Sequence, residues 1–483
     1  MRARMISKLA AKSMDSILNK KIFYFLGAFL ALEVVSLLVF FYPAGQGIVF
    51  LLLSLAALVL AFYRLEYGLL LLVAELIIAS KGYLFSAGPL SWRLAIFLSV
   101  FLAWLYQSLR RKRFWADLKI WPARSWFWLL FLFIAIGLIN GCYHNGFGFN
   151  LWSDFNAWLF FALLPAVAAV YYRNPDQKVY QRLAQVALAA VIWLSLKTLI
   201  FFFIFAHDFS WSFSLYRWIR TTGVGEITNI GFNWPRIFLQ SQVYAPLAFI
   251  SVYFFPSRRR KIDYLLLTLF LMVTLISFSR SFWVGLAVAA FLSLVLIARR
   301  DSMRLALKKF LASIVALLGS LLLIYGLAFW PWPSSLVSFS PDIFQRRANF
   351  LNEEAAIASR WSLLSPLWQK IRTVPLLGQG FGTAITYKSS DPRILKDHPD
   401  GSYTTYAFEW GYLDLWLKLG LFGLLAYLVL VGRLVGQGLR SKSILALAFA
   451  AGLVFLAVTN IFTPYLNHPL GIAYLLLSSC LIF

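Results

Sequence analysis

The chain has 483 residues, of which 61% are hydrophobic and 13% are charged, and its formal net charge is +25. So apolar a composition excludes an ordinary soluble domain and predicts an all-α, polytopic transmembrane helical bundle. The positive charges gather in short segments between apolar stretches, so they indicate membrane orientation and contact with membrane lipids, and no nucleic-acid partner is predicted.

Apolar segments of about 20 residues are long enough to cross the hydrocarbon core of a bilayer. Fourteen segments meet or approach this length, which predicts 12–14 spans. In chain order they cover approximately 23–42, 47–63, 66–80, 92–109, 125–142, 152–172, 184–206, 236–255, 263–279, 281–298, 310–330, 411–432, 444–462 and 467–483. We expect residues 1–330 to hold transmembrane helices 1–11, residues 331–410 to form a large extracytoplasmic loop with amphipathic helices, and residues 411–483 to hold helices 12–14.

The strongly basic short segments all fall on one side of this arrangement. They include MRARMISKLAAK at the amino terminus, RRKR at 110–113 and RRRK at 258–261. By the positive-inside rule this side is cytoplasmic, which predicts a multi-pass protein of the cell inner (cytoplasmic) membrane with residues 331–410 outside. Cys142 and Cys480 then lie near opposite faces, so no disulfide is expected.

Three arginines lie at or near the predicted membrane boundary. Arg236 begins a span in NWPRIFLQSQVY, Arg280 stands between two spans in SFSRSFWVGL, and Arg360 opens RWSLLSPLWQ in the long loop. Because a charge at the bilayer core costs about 3 kcal/mol, such residues are functional candidates. The arginine side chain also presents a fixed fork of donors that matches phosphate oxygens. The sequence therefore predicts a membrane protein that handles a phosphorylated substrate.

The long loop contains two further patterns. Apolar residues recur at three- and four-residue steps over 353–374, which predicts an amphipathic helix that rests on the membrane and holds Arg360 at headgroup depth. PLLGQGFGT at 375–383 has alternating glycines, whose amides could face an oxyanion. The other interpretation of these glycines is a turn that joins the helix to an extended segment.

Two side chains in the loop are candidate general bases. His398 is one, because histidine as a residue type suits proton transfer, and Glu409 is the other, since it stands where the chain re-enters the membrane, where desolvation could raise the pKa of its carboxyl. Few ionisable residues lie in the middle of spans, and these are Glu33, Glu75 and Lys197. A flippase or other polytopic transporter, the alternative function, would need such charges spread through a central cavity.

Three segments together resemble the O-antigen ligase/polymerase superfamily, whose members assemble bacterial surface glycans. They are SRSFWVGL at 279–286, RWSLLSPLWQKIRTVPLLGQGFG at 360–382 and EWGYLDLWLKLGLFGLL at 409–425. The resemblance covers roughly the carboxy-terminal 210 residues in its motifs. It departs from the family at one position, because Glu409 stands where the ligases carry a histidine.

The resemblance implies glycosyl transfer outside the cytoplasmic membrane, from an undecaprenyl-diphosphate carrier to a hydroxyl of a glycan or lipid acceptor. It implies no metal and no cofactor. The diphosphate-binding arginines of the family fall on Arg280 and Arg360, with Arg236 as a weaker third member, and the base falls on Glu409 or on nearby His398. Ligase-like and polymerase-like transfer are both left open.

Overall fold

The computed structural model describes residues 17–121, 123–173, 177–255, 260–338 and 355–482. About 74% of the described residues are helical, and their strands form three short two-stranded pairs. This confirms the predicted all-α, polytopic class. The basic segment at the amino terminus and residues 258–259 of RRRK lie outside the described residues.

The elements before the long loop alternate between helices and short connections. The helices are α1 (Lys21–Phe41), α2 (Gln46–Tyr63), α3 (Leu65–Ile78), α4 (Trp92–Arg110), α5 (Phe114–Asp117), α6 (Arg124–Asn145), α7 (Phe149–Phe155), α8 (Leu164–Arg173), α9 (Gln177–Ala206), α10 (Ser212–Thr221), α11 (Tyr244–Phe254), α12 (Arg260–Ile276), α13 (Arg280–Arg300) and α14 (Met303–Ala328). The strands are β1 (Ser86–Ala87), β2 (Leu90–Ser91), β3 (Glu226–Asn229) and β4 (Pro235–Phe238), and 3-10 turns lie at Pro43–Gly45, Asn156–Leu163 and Gln240–Val243.

The remaining elements belong to the long loop and to the helices that follow it. They are α15 (Ala355–Thr373), β5 (Ile385–Lys388), α16 (Pro392–Asp397), β6 (Ser402–Thr405), α17 (Gly411–Arg440), α18 (Ile444–Thr459) and α19 (Pro469–Ile482). In the part of the chain that the structure describes, nine helical segments are long and apolar enough to cross a membrane. The other five predicted spans contain the shorter helices α3, α11, α12, α18 and α19. The chain is therefore a multi-pass membrane protein.

The prediction that a span begins at Arg236 is wrong. Residues 235–238 form strand β4, which pairs with β3 in an antiparallel hairpin, and the helix begins only at Tyr244. The hairpin turn uses backbone with positive φ at Gly231 (105°), Phe232 (53°) and Asn233 (57°). The apolar residues after Arg236 thus complete a strand and a turn outside the helix, although they read as part of one hydrophobic run.

Helix α15 packs on the carboxy-terminal part of the long loop. Leu363, Leu367 and Ile371 are buried on one face and form a cluster with Ile385, Phe408 and Leu417. Trp361 and Trp368 are among the apolar residues whose spacing predicted this helix. They lie beside the buried face and remain 59% and 38% exposed. They make edge contacts with Trp410 and Trp416, at ring-centroid distances of 5.5 and 5.4 Å. The helix is thus fixed to the start of α17, which positions Arg360 beside that helix.

Candidate functional site at one end of the helices

The structure brings the three predicted arginines together from three different elements. Arg236 lies in β4, Arg280 is the first residue of α13, and Arg360 lies in α15. The pKa of Arg360 is lowered to about 10, first by burial and then by the positive charges of Arg236 and Arg280. A site where cations lower one another's pKa is a site that an anion would stabilise.

Strand β4 and the turn before α13 are joined through the side chain of Arg236. Its Nε donates to the carbonyl oxygen of Ser277 at 2.9 Å, and its guanidinium lies over the ring of Phe238 at 4.9 Å. Arg280 follows Ser277 by one short turn, at the amino-terminal end of a 21-residue helix. The unpaired amides at a helix amino terminus carry partial positive charge, so this position also favours an anion.

Glu409 lies against Arg360 in an ion pair between the carboxylate Oε2 and the guanidinium Nε. The side chain of Arg360 is 38% exposed and that of Glu409 is 52% exposed. The indole Nε1 of Trp410 donates to the backbone oxygen of Arg360 at 3.0 Å, which joins the two segments beside the ion pair. Glu409 is therefore half exposed beside a cation and does not occupy the desolvated position expected from its place at the mouth of a span.

The second candidate base occupies a different position. His398 is exposed on the turn between α16 and β6, where its backbone amide donates to Ile394 at 2.7 Å. It lies beside Asp400, whose pKa is lowered mainly by a hydrogen bond from Lys388 at 2.8 Å. Of the two candidate bases, Glu409 lies against Arg360, whereas His398 lies on the exposed turn next to Asp400.

Tyr387 is a site neighbour that the sequence analysis missed. It lies in β5 opposite Tyr403, and its hydroxyl has a raised pKa, first because of burial and also because of Tyr403 and Asp391. Arg360 is close enough to lower that pKa in turn. Strand alternation in ITYK is the signal that could have indicated it, since alternate residues of a strand share one face. A neutral phenol at this position can donate a hydrogen bond to a phosphate or a sugar oxygen.

The alternating glycines form a wedge, by which we mean residues 378–382, between helices. Gly378, Gly380 and Gly382 all have positive φ, between 76° and 89°. A Cβ on Gly380 would lie 2.0 Å from the amide nitrogen of Gly141 in α6, and one on Gly378 would lie 2.5 Å from that of Gly420 in α17. Only glycine permits backbones to approach so closely.

Three backbone amides of the wedge donate hydrogen bonds to other parts of the protein. Gln379 donates to Leu417 at 2.7 Å, Phe381 donates to Gly137 at 3.1 Å, and Gly382 donates to the carboxylate of Asp154 at 2.9 Å. The oxyanion interpretation is therefore wrong for these three amides. The turn interpretation accounts for the glycines, with the addition that the turn is inserted into the bundle.

A buried charge network lies beneath the wedge. Lys418 Nζ lies 2.5 Å from Asp154 in α7 and 2.5 Å from Asp414 in α17. The amide of Asn467 donates to Asp414 from the segment before α19. The side chains of Lys418, Asp154 and Asp414 are 3%, 8% and 2% exposed. The sequence analysis did not single out Asp154, although a carboxylate inside an apolar segment is itself a signal.

Residues 264–428 match the family model described as O-antigen ligase. The matched range contains Arg280, Arg360 and Glu409, whereas Asp154 and Arg236 precede it. The chain has no match among the curated proteins or the solved structures with which it was compared. The match agrees with the resemblance predicted from the three sequence motifs. The chain is therefore a multi-pass membrane protein that is similar, over residues 264–428, to the O-antigen ligase family of glycosyl-transferring enzymes.

Proposed function

We propose that this protein catalyses metal-independent glycosyl transfer at the outer face of the cytoplasmic membrane. The glycan moves from an undecaprenyl-diphosphate carrier to a hydroxyl of a glycan or lipid acceptor, in a ligase-like or polymerase-like reaction. The observation that carries the proposal is the convergence of Arg236 and Arg280 on Arg360, which is itself paired with Glu409. This convergence combines an anion-binding group with a carboxylate that can accept a proton.

In the proposed reaction the arginine cluster (Arg236, Arg280 and Arg360) binds the donor diphosphate. The acceptor oxygen forms a bond to the anomeric carbon, while the bond from that carbon to the diphosphate oxygen breaks and its electron pair leaves with the diphosphate. Fixed guanidinium groups stabilise the charge that develops on this oxygen, by about 3–4 kcal/mol for a well-placed donor. The bonding geometry of arginine suits this role, because each guanidinium offers two parallel donors to a phosphate.

Glu409 accepts the proton of the acceptor hydroxyl in this proposal. While it is paired with Arg360, its carboxylate is partly neutralised and is a poor base. A donor diphosphate offers Arg360 a more highly charged partner, so donor binding competes with the ion pair and frees the carboxylate beside the reacting atoms. The acceptor proton then passes to Glu409 within hydrogen-bond reach. His398, on its exposed turn, is the second candidate for this role.

The helix order and the charge distribution support an outward-facing site. The arginine cluster and Glu409 lie at the starts of α13 and α17 and in the segments before them. The opposite ends of these two helices carry Arg299, Arg300 and Arg440 in their last turns. With those basic ends in the cytoplasm, as the positive-inside rule requires, the site faces outward. Residues 331–410 form the extracytoplasmic part of this proposal, between transmembrane helices 1–11 and 12–14.

The alternative of a flippase or other transporter receives less support from the mid-span charges. Lys197 is paired with Glu33 at 2.5 Å and also donates to a backbone oxygen, and Arg93 is paired with Glu75 at 2.8 Å. All four side chains are at least 91% buried. Each of these charges is neutralised by its partner within the helix packing, so none of the four is presented to a charged cargo.

The experiment is transfer by the purified protein in proteoliposomes. The donor is an oligosaccharide linked to undecaprenyl diphosphate, and the release of the free carrier diphosphate is measured with and without a glycan or lipid acceptor. The expected result is acceptor-dependent release by the wild type and its loss in Arg280→Ala. Movement of intact donor across the bilayer without release would overturn the proposal in favour of the transporter. In cells, the surface glycans of a deletion strain distinguish a loss of ladder length, which indicates a polymerase, from a loss of anchorage, which indicates a ligase.

A further inference from the structure

We propose that Asp154 is a positioning residue for the Arg360–Glu409 pair, acting through the wedge and through Lys418. This inference rests on the proposed function for its kinetic test. Asp154 lies in α7, outside the range that matches the O-antigen ligase family, and it touches neither Arg360 nor Glu409 in the contacts that the structure describes. Its influence would be exerted entirely through two groups that it holds.

The first group that Asp154 holds is the wedge. One carboxylate oxygen, Oδ2, accepts from the amide of Gly382 at 2.9 Å. The wedge begins five residues after the end of α15. The depth at which the wedge is inserted into the bundle therefore fixes the position of that end of the helix. Asn140 and Asn145 of α6 hold neighbouring positions of the same loop, with the amide of Asn145 donating to the backbone of Phe381 at 3.0 Å. Asp154 therefore helps to set the position of the helix that carries Arg360.

The second group is Lys418, about two turns into α17. The other carboxylate oxygen, Oδ1, accepts from Lys418 Nζ at 2.5 Å, and Lys418 also binds Asp414 one turn earlier. Lys418 lies 5.6 Å from the ring centroid of Phe408, the residue directly before Glu409. A single carboxylate thus connects the loop after Arg360 with the helix that follows Glu409.

The chemical character of the network supports positioning over simple stabilisation. Well-packed apolar residues often stabilise a buried site as well as a buried ion pair does, whereas an ion pair allows only one arrangement of its partners. The two carboxylate oxygens of Asp154 accept from two different elements, the wedge and α17. These elements are therefore correctly placed relative to each other only when both bonds form. A small displacement of reacting groups reduces turnover strongly, by about 100-fold for roughly 1 Å.

The test uses Asp154→Asn with Glu33→Gln as its matched control. Asparagine keeps the size of the side chain and an acceptor for the Gly382 amide, and it removes the charge that faces Lys418. Glu33→Gln removes the carboxylate from another buried lysine pair of the same length, Lys197–Glu33 at 2.5 Å, away from the site. Both variants are expected to melt at lower temperature in detergent. We expect turnover per folded molecule to fall about 10- to 100-fold in Asp154→Asn and to be unchanged in Glu33→Gln, with donor KM little affected in both.

A distance measurement tests the same inference without any substrate. Spin labels are placed on Cys142, which is exposed in α6, and on Gln369→Cys, an exposed position of α15, while Cys480 is buried. We expect the distance distribution to broaden or shift in Asp154→Asn and to stay unchanged in Glu33→Gln. An unchanged distribution, together with activity lost only in proportion to the folded fraction, would overturn the positioning role. If even the wild type transfers no glycan, the proposed function fails, while the label distances still decide whether Asp154 positions α15.

Discussion

Glu409 forms its ion pair with Arg360, so the candidate base and one of the phosphate-binding candidates neutralise each other before any donor is bound. Both side chains are partly exposed, and exposed ion pairs are worth about 0.2–1 kcal/mol. A pair of this strength holds the two groups together, yet a diphosphate can displace it. In the proposed function Arg360 favours donor binding, whereas Glu409 competes with the donor for Arg360.

Glu409→Gln is expected to lower turnover and to strengthen donor binding. Glutamine keeps the shape of the side chain, cannot accept the acceptor proton, and no longer competes with the diphosphate for Arg360. We expect turnover to fall about 100-fold or more. The donor should bind about 2- to 5-fold more tightly, which corresponds to the ion pair that is lost. Turnover is measured by carrier release, and affinity by titration of the donor in nanodiscs.

Glu226→Gln provides the control for this prediction. Glu226, in β3, forms a similar half-exposed pair with Arg220 of α10 at 3.0 Å. Neither turnover nor donor affinity should change in this variant. His398→Ala should also retain most of its turnover. Wild-type turnover in Glu409→Gln beside an inactive His398→Ala would assign the base to the histidine instead.

Lysine is expected to be a poor substitute for arginine in the cluster. Arg280→Lys and Arg360→Lys keep the positive charge, but a single ammonium group cannot form the two parallel hydrogen bonds that a guanidinium offers a phosphate. We expect each variant to lose about 10- to 100-fold in transfer rate, as measured with the lipid-diphosphate donor. Arg236→Lys should lose less transfer rate. The Nε of Arg236 already donates to the carbonyl oxygen of Ser277, which leaves fewer of its donors for a phosphate.

The matched control for the arginine variants is Arg372→Lys. Arg372 is exposed on the same helix as Arg360 and lies over the ring of Trp368 at 5.5 Å. Its replacement should leave the transfer rate unchanged. Near wild-type rates in both Arg280→Lys and Arg360→Lys would show that these arginines have structural roles only.

Gly380→Ala is expected to prevent the wedge from entering the bundle. The new methyl group would lie 2.0 Å from the backbone of Gly141, and backbone atoms cannot move aside as a flexible side chain can. Gly146→Ala separates the two effects, since Gly146 also has positive φ, at 71°, but has open space around it. Gly146→Ala should cost about 1–2 kcal/mol from backbone strain alone. Gly380→Ala should unfold at clearly lower temperature and lose transfer activity, and equal melting temperatures in the two variants would argue against the close approach.

The predicted orientation can be checked by cysteine labelling in intact cells. In a Cys142→Ser background, an impermeant reagent should modify Ser390→Cys in the long loop, which is exposed. It should not modify Lys442→Cys in the exposed turn between α17 and α18 until the membrane is permeabilised. The reason is that Lys442 belongs to the basic segments that the positive-inside rule assigns to the cytoplasm. Labelling in the reverse sense would contradict the orientation and an outward-facing site.

Long apolar runs made the helical bundle predictable, because a bilayer demands about 20 apolar residues whatever the fold. Arg280 and Arg360 could be selected for a similar reason, since charges at the membrane boundary are costly. Arg236 lies with the other two arginines but was assigned to the wrong element. Hydrophobicity does not distinguish a strand and turn that lead into a short helix from one continuous span.

The contacts between distant segments could not be read from the sequence. Asp154 and Lys418 are separated by 264 positions, and no local pattern records that they meet. The same applies to the pairing of Glu409 with Arg360, since the sequence placed each beside the membrane but not against the other. The glycines of the wedge gave a local signal for a turn, whereas the helices that surround the turn depend on the packing of the whole bundle.

The insertion of the wedge also has a consequence for how the protein is made. The side chain of Asn140 holds the backbone of Leu377, which lies 237 positions later in the chain, and Gly378 lies against Gly420. The ribosome must therefore have passed Gly420, and α17 must have begun to form, before this end of α6 meets its final neighbours. Until then that end of α6 presents bare glycine backbone to its surroundings. A chain that stops before α17 would hold Arg236, Arg280 and Arg360 without the contacts that α17 makes with the wedge, so the proposed site is completed only late in synthesis.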